Sequence, residues 1–227
     1  QSSKKKFFNY AIGDGKVHNL NICYSPGMTS ILKPNYEYLK LFHKFDEWSK
    51  ILKVIPIQTK KLDEINFDNS LDLIKIDVQG YESEVIKFGN DKIKNSLVIQ
   101  IESAPIPLYE NEKPFSHVCN QLENLGFNLH MFSKIHNRSF KPMIFNNSIY
   151  SGLYHLFQLD CVFVKNFKEI DKLDKENLKK LILIMFYSFK SYDFVDLLVS
   201  KLEAKTKKSY LNQYRDLVKT LKIHKLY

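Results

Sequence analysis

The sequence predicts an α/β domain, a parallel or mixed sheet covered by helices, followed by an all-helical appendage. Three observations carry that prediction. Short apolar runs alternate with helical stretches across residues 7–165. Two of those runs end in an acid, Asp77 within Leu73–Val78 and Glu102 after Leu97–Ile101, and helix-forming sequence follows each. Beyond about residue 170 only helical periodicity remains, so the expected domains are 1–168 and 169–227.

Taken in order, Phe7–Ile12 reads as a strand closed by the turn Gly13-Asp14-Gly15, and Val17–Tyr24 as a second strand. Ile55-Pro56-Ile57 leads into a short helix at Leu62–Ile65. Leu73–Val78 is apolar on both faces apart from its charged positions, which predicts a buried central strand. Gly80 permits a tight turn, and Glu82–Phe88 reads as a short helix. After Leu97–Ile101, the residues Phe115, Val118, Cys119, Leu122 and Leu125 fall on one helical face, with Gly126 where a C′ residue belongs. Phe127–Phe132 alternates like a half-exposed strand, and Leu159–Val164 is expected to be antiparallel near an edge. That order suits a doubly wound sheet. Three stripes follow: Leu178, Leu181, Ile182, Met185 and Phe189 behind an N-cap at Asp174; Phe194, Leu197, Leu198 and Leu202; and Leu211, Tyr214, Leu217, Val218 and Leu221.

Composition narrows the function. A hydrophobic share of 44% and an aromatic share of 14% are ample for a packed core. No apolar run approaches a membrane span and no secretory signal opens the chain, so a cytoplasmic location is expected. The net charge of +9 comes almost entirely from lysine, Arg138 and Arg215 being the only arginines. Base-reading proteins lean on the bidentate fork of arginine, so no nucleic-acid role is expected. Cys23, Cys119 and Cys161 stand far apart without CxxC spacing, which predicts free thiols and no zinc site.

Ligands of open α/β sheets bind beyond the carboxyl ends of the strands. Asp77 and Glu102 sit at such ends. On neighbouring strands roughly 5 Å apart, they would face one crevice, as suits proton removal from a substrate hydroxyl. The plain alternative is two solvated acids. Glu82 and Glu84 lie in a first helical turn, where the helix dipole alone stabilises a carboxylate, although Glu82 also qualifies for a catalytic or organising role. The sequence has no GxxxxGK[ST] loop, HExxH helix, GxSxG elbow or GxGxxG after a strand. Its seven histidines are scattered, and no metal is expected because a divalent site needs more oxygen ligands than these acids supply.

Leu62-Asp63-Glu64, the run Lys75-Ile76-Asp77-Val78-Gln79-Gly80-Tyr81-Glu82 and Val98–Glu102 resemble the FkbM-like branch of the class I S-adenosylmethionine-dependent methyltransferases. Ala11-Ile12-Gly13-Asp14, Leu125-Gly126-Phe127 and Asp160–Val164 continue the resemblance, in the same order, over residues 8–165. Gln79 replaces the glutamate more often seen in its block. The resemblance implies a seven-stranded Rossmann-like sheet, S-adenosylmethionine as donor, and methyl transfer to a hydroxyl of a sugar, glycan or secondary metabolite. It implies that Asp77, Glu82 and Glu102 line the active crevice. Ala11, Gly13, Asp14 and Asp77 would meet the cofactor, with Asp14 at the adenine end. The family's first strand, glycine-rich loop and ribose-binding acid should precede residue 7. The expectation is therefore the carboxyl-terminal portion of that sheet, truncated at the N-terminus and binding cofactor weakly or not at all. The helical tail resembles one found in some members, with packing or homodimerisation as its expected role. The alternative is a catalytically inactive sheet domain that binds a partner through that tail.

Overall fold

The computed structural model describes residues 5–221. The chain divides into two compact units, Gln1–Phe163 and Val164–Tyr227.

The first unit opens with β1 (Ala11–Ile12) and β2 (Val17–Cys23), then α1 (Tyr36–Leu39), α2 (Phe45–Trp48) and β3 (Ile51–Lys60). β4 (Leu73–Ile76), α3 (Glu82–Lys87), α4 (Asn90–Asn95), β5 (Val98–Ser103), α5 (Phe115–Asn124), β6 (Phe127–Asn137) and β7 (Leu156–Lys165) follow. Among the described residues the strands form two sheets, β1-β3-β2 and β4-β5-β7-β6, where the sequence suggested one doubly wound sheet.

Pro56 accounts for much of the first sheet. β1 runs parallel to β3 with Ala11 opposite Thr59 and Ile12 opposite Lys60. Extending that register upstream would set Phe8 opposite Pro56, which has no N–H to give. The strand expected over Phe7–Ile12 is therefore only Ala11–Ile12, and Phe7 is left 90% exposed. Pro56 still fits the antiparallel pairing with β2, opposite Asn19.

The second sheet corrects two expectations. β4 pairs in parallel with β5 and ends the sheet, so among the described residues it is an edge strand and not a central one. Its burial alternates: Ile74 and Ile76 are buried while Leu73 and Lys75 are exposed. One face is packed and the other is open, a pattern that its apolar composition disguised. β7, expected near an edge, lies between β5 and β6. Cys161 to Val164 are buried without interruption, as a strand covered on both faces requires.

The core beneath the packed face joins Ile74, Ile76, Ile99 and Ile101 to Val85, Ile86, Ile93, Val118 and Leu122 from the helices. Each such side chain contributes about 1.5–3 kcal/mol on burial. Phe115, Cys119 and Leu125 pack on this core, as the helical spacing predicts, and Gly126 takes the left-handed φ of 85° that a C′ residue needs. A second core gathers Cys23, Leu39, Phe42, Phe45, Leu108, Tyr109 and Phe157. It anchors the loop after β5 against the α1–α2 region.

In the second unit, α6 (Lys175–Tyr187) begins at Asp174, whose side chain accepts from the Asn177 N–H at 2.7 Å. Leu178, Leu181, Met185 and Phe189 are buried. The buried face of α7 (Tyr192–Thr206) runs through Phe194, Val195, Leu198, Val199 and Leu202; Leu197, expected there, is exposed. α8 (Leu211–Thr220) buries none of its residues, so its apolar stripe is not a core stripe.

Candidate active site

The site is built on the carboxyl ends of β4 and β5. Ile76 pairs with Ile101 in the parallel register, so the next residue on each strand, Asp77 and Glu102, stand side by side. Beyond Asp77 the chain turns through Val78, Gln79 and Gly80 toward α3. Gln79 and Gly80 both adopt left-handed backbone, with φ of 54° and 93°. Glycine is needed at 80, because a Cβ there would lie 2.8 Å from Cδ2 of Tyr109.

Glu82 closes this turn. Its Oε1 accepts from the N–H of Val78 at 3.0 Å and of Gly80 at 3.1 Å. The residue is 4% exposed. Burial raises its pKa, while the backbone donors work in the opposite direction. Ser30 Oγ fixes the turn from outside by donating to the Gln79 carbonyl at 2.6 Å.

The Gln79 side chain links the two rim acids. Its Nε2 donates to Asp77 Oδ1 at 2.9 Å and to Glu102 Oε2 at 2.8 Å. Its Oε1 accepts from the Tyr109 hydroxyl at 3.0 Å. Both amide hydrogens and the carbonyl are thereby used, and the reversed amide would point its oxygen at two carboxyls. Asp77 also meets Lys75 Nζ at 3.3 Å, and 37% of its side chain is exposed. Glu102 receives a second, longer bond from Gln158 Nε2 at 3.3 Å. Burial, and then the neighbouring Asp77 charge, push the Glu102 pKa up to about 7, against the lowering effect of the Gln79 hydrogen bond. Glu102 therefore keeps a proton to near neutrality, and a half-exposed carboxyl stands next to it.

Behind the rim, Glu112 Oε2 accepts from the N–H groups of Leu108 at 2.6 Å and Tyr109 at 2.9 Å. Burial pushes its pKa up to about 8 despite those donors. Gln79, Glu82, Glu102, Tyr109 and Glu112 surround a cavity of about 10 Å³, room for roughly one water. A molecule larger than water could therefore meet these groups only from outside the rim.

Ala11, Gly13 and Asp14 belong to the other sheet and its first turn. Ala11 pairs with Thr59, and Gly13 packs so tightly on that residue that a Cβ would lie 3.0 Å from its methyl group. Asp14 Oδ1 lies 2.7 Å from His18 Nε2, accepts from the Lys16 N–H at 3.0 Å and sits 3.2 Å from Thr59 Oγ1. Burial opposes ionisation there, but these hydrogen bonds outweigh it and hold the carboxyl below its ordinary range. The His18 ring packs edge-on against Tyr81, with the tyrosine hydroxyl 3.5 Å from Nε2. Asp14 is thus tied through His18 to Tyr81, next in sequence to the Gly80 turn. Burial, and then the Asp14 charge, push the Tyr81 pKa up to about 12.

The structure brings Asp77, Glu102 and Glu82 together, and sets Ala11, Gly13 and Asp14 on a neighbouring turn. Sequence reasoning missed Tyr109, Glu112, His18 and Tyr81 and saw in Gln79 only a substitution. Tyr109 and Glu112 lie in a loop without periodicity, where Glu110 and Glu112 look alike. For His18 the one available signal was its position four residues after Asp14.

The groove nearest Asp77 is by itself too small to enclose S-adenosylmethionine. The groove nearest Asp77, lined by Ile12, Leu62, Ile74, Ile76, Val78 and Val85 as well as Lys75 and Asp77, has a volume of about 220 Å³. That is below the roughly 300 Å³ at which small-molecule pockets begin. One oxygen of Asp14 is already surrounded by the chain's own polar groups. Among the described residues no three His, Cys, Asp or Glu side chains converge as metal ligands.

A family model described as methyltransferase FkbM domain matches residues 2–129, more than half of the chain. No curated protein and no solved structure matches it. The matched span contains the carboxyl ends of β4 and β5, the Gly80 turn and all the rim acids. The chain belongs to the FkbM methyltransferase domain family.

Proposed function

We propose that the chain carries the acceptor side of an S-adenosylmethionine-dependent O-methyltransferase acting on a hydroxyl of a sugar, glycan or secondary metabolite. The observation that carries this reading is the Asp77–Gln79–Glu102 bridge at the ends of adjacent parallel strands. An acceptor hydroxyl at this rim meets two carboxyls of unlike character. Half-exposed Asp77 takes the hydroxyl proton as the oxygen becomes a nucleophile. Glu102, holding its own proton to near pH 7, donates a hydrogen bond that orients the acceptor. Alignment by such contacts accounts for much of the acceleration in a displacement of this kind. Glu82 serves as an organiser, keeping the turn that aims Asp77. Two acids that were merely solvated would not need a shared amide anchored on a buried tyrosine.

The same reading takes β4-β5-β7-β6 as the carboxyl-terminal portion of a class I, Rossmann-like sheet. Among the described residues no strand pairs on the outer side of β4, which supports it. Calorimetric titration of the chain with S-adenosylmethionine should give a Kd weaker than micromolar, and micromolar affinity would count against this part. A cytoplasmic location is supported by three free cysteines, and among the described residues no helix is long and apolar enough to cross a membrane.

The test of function is transfer of a labelled methyl group to a panel of hydroxylated acceptors at millimolar donor. Asp77→Asn should slow turnover by about 10²–10⁴ without unfolding the chain. Equal rates for the two proteins would remove Asp77 from the mechanism. No transfer by the wild-type chain would favour a domain that binds a partner. Leu183, Tyr187, Leu197 and Leu217 are exposed in the helical unit and supply apolar surface for that role or for a homodimer. Sedimentation of Leu183→Lys and Tyr187→Lys chains should then show a lower mass than wild type.

A further inference from the structure

Gln79 occupies a backbone conformation that suits glycine, with φ of 54°. A side chain there costs of order 1 kcal/mol or more. If the turn alone were at stake, glycine would serve better. What distinguishes glutamine is its amide, which makes three hydrogen bonds, to Asp77, Glu102 and Tyr109. Tyr109 is 2% exposed and rooted in the second core, so the amide is anchored from the interior while its two N–H groups reach the rim.

We propose that Gln79 is a positioning residue for the acceptor site. Its amide clamps Asp77 and Glu102 side by side, so that both carboxyls face one acceptor. This rests on the methyl-transfer reading of the rim and adds to it a residue that touches neither acceptor nor donor. A carboxyl in place of the amide would set three acids within hydrogen-bond reach of one another and remove both donors. An apolar side chain would leave the acids free to separate. The charged and titratable groups around Glu102 are Asp77, Glu82 and Asp160, with Glu112 and Tyr109 behind it. Gln79 is the neighbour that hydrogen-bonds Glu102 and Asp77 at once.

The experiment is a carboxyl-carbon NMR titration of glutamate-labelled wild-type, Gln79→Gly and Gln79→Met chains, with the pH profile of methyl transfer as a second readout. Glycine is compatible with the left-handed backbone, so Gln79→Gly tests the amide without adding strain. Removing the donor should raise the Glu102 midpoint by about 1 pH unit in both variants. The corresponding limb of the turnover profile should move with it, and kcat should fall more than KM rises. A Glu102 midpoint unmoved in folded variants would overturn the proposal. So would failure of Gln79→Gly to fold, because the amide would then serve the fold. The NMR readout needs no turnover. A chain that shows the midpoint shift but transfers no methyl group refutes the methyl-transfer reading and leaves the clamp standing.

Discussion

Replacing Glu102 by glutamine should make the protein more stable at pH 8 while keeping a hydrogen-bond donor at the rim. The direction follows from proton counting. An ordinary glutamate, such as Glu102 in the unfolded chain, ionises near pH 4.5, whereas folded Glu102 ionises near 7. Between those values the folded state holds a proton that the unfolded state has released, so stability falls as pH rises and levels off above about 7. At about 1.4 kcal/mol per pH unit the ceiling is roughly 3 kcal/mol, and the partial exposure of the side chain reduces it to about 1–2 kcal/mol. Glu102→Gln retains an oxygen to accept from Gln79 and lacks the titration. Urea unfolding of both proteins at pH 5 and pH 8 measures the difference, followed by the fluorescence of Trp48, the single tryptophan. Trp48 packs against the second core of the same compact unit as Glu102, so it reports on the right part of the molecule. The advantage of the variant should grow by about 1–2 kcal/mol between the two pH values. An advantage that does not change with pH would refute the burial argument.

Three further outcomes are expected. Gly80→Ala should cost about 2–4 kcal/mol, from the left-handed backbone and the contact with buried Tyr109, and a thermal melt unchanged from wild type would show the turn to be wrongly described. Glu82→Ala should cost a similar amount, about 2–4 kcal/mol, because two backbone N–H groups lose their acceptor; Glu82→Gln, which keeps an oxygen, should lose less than half of that in denaturant titration. Glu112→Gln should gain stability over wild type as pH rises from 5 toward 9, since the folded carboxyl ionises only near 8, and parallel curves for the two proteins would contradict its burial.

The two acids were legible in the sequence because an apolar run that ends in a charge is a local signal. Parallel pairing of Leu73–Ile76 with Val98–Ile101 then places them together, as their apolar strands suggested. The first turn of α3 and the Asp174 cap were legible for the same reason, being set by a few neighbouring residues. Central versus edge placement was not. β4 looks buried by composition, yet Leu73 and Lys75 face outward, and only the pairing partner decides that. β7 was misplaced in the opposite sense, since its interior position depends on β5 and β6, far away in sequence. Leu197 and the α8 stripe show that apolar spacing makes a face without naming what covers it. The clamp was invisible for a further reason. It joins Ser30, Gln79, Glu102 and Tyr109 across the chain, through a tyrosine in a loop with no periodicity.

Joint action of Asp77 and Glu102 on one acceptor is tested most directly by a double-mutant cycle in turnover. Methyl transfer would be measured for wild type, Asp77→Asn, Glu102→Ala and the combined variant at one pH below 7, alanine being used because glutamine would keep a hydrogen-bond donor at that position. Two groups acting as a unit should give a double variant about as slow as the slower single variant. Losses that multiply would mean that the two acids act independently, and would contradict a shared reaction centre.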